Sequence, residues 1–80
     1  MHRSPVKFLI VIDSGGAMVA RLFDADRTHV IDMDASTEDV AATIEGVRPT
    51  DSATAPEWDA ALAGHSAVER EQAQVYSLPL

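Results

Sequence analysis

From Val6 to Ile12 every position except Lys7 is apolar, and most of these side chains are large or β-branched. A run this unbroken and this short marks a strand covered on both faces. After Gly15-Gly16 the pattern changes to alternation, with Met18, Ala20 and Leu22 on one side and Val19, Arg21 and Phe23 on the other. The polar stretch Asp24-Ala25-Asp26-Arg27 then separates a further alternating segment, in which His29, Ile31 and Met33 oppose Thr28, Val30 and Asp32. Three strands joined by short turns predict an antiparallel meander over about 6–12, 17–23 and 28–33.

Beyond residue 35 the spacing becomes helical. Val40, Ile44 and Val47 recur at four and three and form one stripe. Ser36-Thr37-Glu38-Asp39 precedes them as a cap, with the Ser36 hydroxyl expected to reach the third helical residue and Asp39 placed in the positive first turn. Gly46, followed by Pro49, ends the segment, giving a helix over about 37–46. Residues 48–55 are small and polar and read as a loop. Thr54-Ala55-Pro56-Glu57 then predicts a second helix over about 55–63, burying Trp58, Ala61 and Leu62 and stopped by Gly64. Ser66-Ala67-Val68-Glu69 caps a third short helix over about 67–73, and residues 74–78 form a final strand or a tail. The fold class expected is α+β, in one domain spanning residues 1–80 with flexible ends at 1–4 and 79–80.

Composition narrows the picture. The apolar fraction is 46%, but 13 of those residues are alanine, and there are only one Trp, one Tyr and two Phe. Such a core sustains a few kcal/mol of stability, or leaves a surface for a second chain to cover, so a homodimer is one expectation. The absence of cysteine excludes disulfides and thiolate chemistry. The N-terminal apolar run is too short for a signal peptide and no stretch approaches the length of a membrane span, which leads to the expectation of a soluble, cytoplasmic protein without a membrane partner.

Charge is unevenly placed. The net charge is -7, and between residues 24 and 45 seven acids (Asp24, Asp26, Asp32, Asp34, Glu38, Asp39 and Glu45) face a single base, Arg27. This band repels phosphate backbones, so direct nucleic-acid binding is not expected. It attracts a basic protein instead, and these seven acids are the candidate partner-binding residues.

Two stretches raise the question of catalysis. Val11-Ile12-Asp13-Ser14-Gly15 resembles the retroviral-type aspartic proteases, whose dimers bring two such Asp residues together to activate water. Those chains also carry a glycine-rich flap, whereas the only glycines after Gly16 are Gly46 and Gly64. Asp13-Ser14-Gly15-Gly16 also has the residue types a tight hairpin demands. Val30-Ile31-Asp32-Met33-Asp34 with Ser36 resembles the first motif of haloacid-dehalogenase-type phosphatases, in which the first Asp attacks phosphorus and the second handles the leaving group. That family also needs a downstream Lys, and the one Lys here is Lys7, upstream. As a calcium loop the segment lacks the required Gly and Glu, where Thr37 and Thr43 stand. His2, His29 and His65 show no zinc spacing. No catalytic residue, metal or cofactor is therefore expected.

The β-β-β-α order over residues 6–48, entered through Lys7-Phe8-Leu9-Ile10-Val11-Ile12 and ending in Ser36-Thr37-Glu38-Asp39, resembles the small domain of HicB-type antitoxins. The resemblance implies an acidic helix and meander that bind a basic protein. The function expected is a non-enzymatic interaction module of the antitoxin, immunity-protein or phage-type inhibitor kind. An accessory homodimeric domain is the alternative, and a small hydrolase using Asp13, or Asp32 with Asp34, ranks behind both.

Overall fold

The computed structural model describes residues 6–78, with the backbone alone at residues 50 and 51. The flexible ends expected at 1–4 and 79–80 lie outside the described residues. Five strands form one antiparallel sheet: β1 (Val6–Ser14), β2 (Ala17–Asp24), β3 (His29–Asp34), β4 (Pro49–Asp51) and β5 (Gln74–Ser77). Their order across the sheet is β3-β2-β1-β5-β4. Two short helices, α1 (Glu38–Ile44) and α2 (Ala67–Gln72), and a 3₁₀ turn at Pro56–Trp58 complete an α+β architecture.

The position of β1 explains its composition. It pairs with β2 on one side and β5 on the other, and its two faces carry separate apolar clusters. Phe8, Ile10 and Ile12 point to one face, with Phe23, Val75, Ala53, Trp58 and Leu62. Leu9 points to the other, with Ala20, Val40, Tyr76 and Leu78. Because β3 and β4 lie at opposite edges, residues 35–48 must cross the sheet to join them. They do so over the Leu9 face, where α1 inserts Val40 as its one buried side chain. Residues 52–73 return over the Phe8 face.

The meander forms as the pattern predicts, and each turn has a local cause. Ser14 pairs with Ala17, so Gly15 and Gly16 are the whole connection, with φ of 65° and 94°. Positive φ at both central residues is the two-residue turn whose twist suits a hairpin, and glycine adopts it without strain. Between β2 and β3, Arg27 takes φ 62° as the third of the four linking residues. The Asp24 carboxylate accepts the backbone N–H groups of Asp26 (2.9 Å) and Thr28 (3.0 Å), which holds that loop closed.

Several expectations need correction. The helix at 37–46 is shorter, and its cap is Thr37, whose Oγ1 accepts the N–H of Val40 at 3.4 Å. Ser36 is unavailable because its N–H and hydroxyl both donate to Asp34. No helix spans 55–63; after the 3₁₀ turn the chain runs in successive turns to Gly64. Thr54 bonds to Ser52 at 2.6 Å, so the first turn at Ala55 has no side-chain cap. An uncapped nucleus of this kind does not propagate. The carbonyl of Ala53 is satisfied from outside the segment by Arg70, which also reaches the Ala55 carbonyl beside its bond from the Trp58 N–H and pairs with Asp59 at 2.8 Å. The loop expected at 48–55 contains β4, and the C-terminal strand is no tail, since β5 lies inside the sheet between β1 and β4.

The helix expected over about 67–73 forms over Ala67–Gln72 with the cap its sequence offers. Ser66 Oγ accepts the N–H of Glu69 (3.2 Å), and the Glu69 carboxylate accepts the N–H of Ser66 (3.1 Å), which is a complete capping box at the start of α2.

Candidate functional site

The seven acids of the band divide into groups around β3. Asp24 and Asp26 sit at the loop that enters it. Asp32 lies within it. Asp34 ends it, and Glu38 and Asp39 follow in the first turn of α1, where the helix dipole favours negative charge. Glu45 occupies the C-cap of α1, about 10 Å along the helix from Glu38, so the fold separates it from the others.

Three of these carboxylates, those of Asp24, Asp32 and Asp34, also perform a local structural task. Asp24 closes the β2–β3 loop as described. Asp34 Oδ1 accepts the Ser36 N–H at 2.9 Å and the Ser36 hydroxyl at 2.7 Å. The backbone bond, helped by the hydroxyl, holds the Asp34 carboxyl below the usual carboxylate range, so it stays ionised. Asp26, Glu38 and Asp39 are exposed.

Asp32 belongs to a polar chain that the strand pattern does not display. Its Oδ1 accepts from His29 Nε2 at 2.8 Å and from Arg21 Nε at 3.0 Å. Arg21 Nη1 reaches His65 Nε2 at 3.1 Å, and His65 Nδ1 lies 3.2 Å from Glu69 Oε1. Guanidinium can only donate, so Nε2 is the acceptor and Nδ1 carries the hydrogen that Glu69 receives. Both ring nitrogens of His65 are thereby engaged, and its side chain is 6% exposed. Burial pushes the Asp32 carboxyl up, but the bonds from His29 and Arg21 together outweigh it and leave it below the usual range. The Ser66 amide first, and His65 second, lower Glu69.

His29 is on the opposite side from the one its spacing suggests. The register slips between Leu22 and Phe23, which face Ile31 and His29 respectively, so Val30 is an extra residue. This bulge turns His29 away from Ile31 and Met33 and stacks it edge-on against Phe23 at 5.8 Å. The signal for the whole chain was Arg21: a charged residue in mid-strand on the face of Val19 and Phe23 requires partners from elsewhere in the fold.

The residues of the two catalytic resemblances are also placed. Asp13 Oδ1 accepts the Gly16 N–H at 2.8 Å across the hairpin. Asp32 and Asp34 are engaged as above. Among the described residues no pocket opens beside any of them, and no group of three or more His, Asp or Glu side chains converges as metal ligands. No helix among the described residues is long and apolar enough to cross a membrane.

Among the described residues, three of the four large exposed hydrophobic side chains gather at β3 and its neighbour: Met18 (49% exposed), Val30 (46%) and Ile31 (52%). The chain thus has the architecture of a small antiparallel α+β domain with an acidic, partly apolar sheet edge. No protein-family model matches it, and no curated protein or solved structure is significantly similar to it.

Proposed function

We propose that the chain is a non-enzymatic interaction module that binds a basic protein partner through its acidic band, in the manner of an antitoxin, immunity protein or inhibitor. The observation that carries this reading is the placement of Asp24, Asp26, Asp34, Glu38 and Asp39 at the two ends of one edge strand, in a chain of net charge -7. Arg27, the sole base of the band, is turned away from it: its guanidinium lies 5.1 Å from the ring centres of Phe8 and Trp58. Opposed charge of this kind speeds encounter and selects partners more than it adds affinity.

The test is binding to the basic protein that co-purifies from native cells. Affinity should fall steeply as salt rises, and the double charge reversal Glu38→Lys/Asp39→Lys should weaken it about tenfold or more. Salt-insensitive binding, or no partner, argues against the reading. The exposed Val30, Ile31 and Met18 support a second one, an accessory homodimer closed through β3. Sedimentation at rising concentration separates the two.

A further inference from the structure

We propose that the free edge of β3 accepts an extended basic segment of the partner as a sixth strand. The inference rests on the reading of the chain as a binder of a basic protein and adds the place and the mode.

Among the described residues β3 pairs with β2 on one side only, and the opposite edge of the sheet, β4, is three residues long. In the ladder, Ala35 N–H donates to Met18 C=O, and antiparallel alternation then turns the backbone of Asp32 outward. An incoming strand would pair along 31–34, beyond the Val30 bulge. Its side chains would meet two different surfaces. On one face stand Ile31 and Met33, with Met18 beside them, where α1 leaves Ile31 and Met18 about half exposed. On the other face stand Asp32 and Asp34. Asp32 already serves Arg21, so most of the uncommitted charge lies at the strand's ends, in Asp34, Glu38 and Asp39 at one and Asp26 at the other.

A segment that alternates aliphatic and cationic residues matches both surfaces, with main-chain hydrogen bonds supplying affinity and the alternate side chains supplying selectivity. A second copy of this chain matches them poorly. Paired antiparallel with itself, β3 would bring Asp32 and Asp34 against the same acids of its twin, and both the bulge and the charges are devices that guard an edge against self-association.

The probe is an eight-residue, end-blocked peptide of alternating lysine and valine, with a glutamate-valine peptide as control. Both are titrated into the full chain and followed by amide NMR. The inference requires shift changes and slowed amide exchange centred on residues 31–34. It also requires affinity that falls about tenfold or more between about 0.02 and 0.5 M salt, and a comparable loss in Ile31→Lys and in Glu38→Lys/Asp39→Lys. Ile31 is exposed, so Ile31→Lys should melt within a few degrees of the parent. Shifts that map elsewhere, or equal binding of the glutamate peptide, overturn strand addition. If the native basic partner binds in a salt-dependent way while 31–34 stays unprotected, the edge inference falls and the functional reading stands; if neither partner nor peptide binds, both fall. Protection of 31–34 in the chain alone, rising with its concentration, overturns the inference in favour of the homodimer.

Discussion

Arg27 combines two features that oppose each other. Its backbone sits at φ 62°, which costs a non-glycine residue on the order of 1 kcal/mol. Its guanidinium lies over both Phe8 and Trp58, and a cation held between desolvated rings returns about 1–2 kcal/mol. Arg27 Nε and Trp58 Nε1 find no acceptor among the described residues, which is consistent with N–H groups packed against aromatic faces. Arg27→Ala should therefore destabilise by about 1–2 kcal/mol, and Arg27→Gly by roughly 1 kcal/mol less than Arg27→Ala, because glycine keeps the turn. Urea midpoints of the two variants measure the difference. At the same scale, Asp32, Asp34 and Glu69 all have lowered folded-state pKa values. A depressed acid contributes stability above its unfolded pKa, near 4, and loses it as pH falls through the lower folded value. The urea midpoint should thus hold from pH 7 to about 5 and decline below about 4, with Asp34→Asn flattening part of that slope.

Arg70 decides the character of a whole element. The segment after β4 was legible as capped and helical, yet it folds as a 3₁₀ turn and open turns, with the Ala53 carbonyl held by the Arg70 guanidinium and the Ala55 carbonyl shared between Arg70 and the Trp58 N–H. Arg70→Lys supplies a point charge in place of a planar fork. It should cost about 1–2 kcal/mol and increase amide exchange across 55–62 with little effect on β1. By contrast, α2 is a local product of its sequence. Removing its cap with Ser66→Ala should cost about 1 kcal/mol, with the loss of helix confined to 66–72 by NMR. The hairpin at Gly15-Gly16 is equally local. An added Cβ would meet open space at either glycine, so the cost of Gly15→Ala, about 1 kcal/mol, is conformational and not steric.

Across the molecule, one sheet supports two apolar clusters that do not merge, and neither is large. The Phe8 face depends on Trp58, fully buried and edge-on to Phe8 and Phe23 at 5.2 Å each. Trp58→Ala removes about 3–5 kcal/mol, comparable to the entire stability of a domain with so thin a core. Its thermal transition by circular dichroism should lose cooperativity, while Trp58→Phe should keep it. What the chain itself determined are the features set by neighbours in sequence: the doubly covered β1, both meander turns, the α+β class, the Ser66 cap and the acidic band. The tertiary structure alone decided the rest. β4 is too short to leave a periodic signature, β5 earns its central place only by pairing on both sides, and Arg21 meets His65 across 44 positions of chain. Local pattern records which way a side chain points; it does not record which distant segment arrives to meet it.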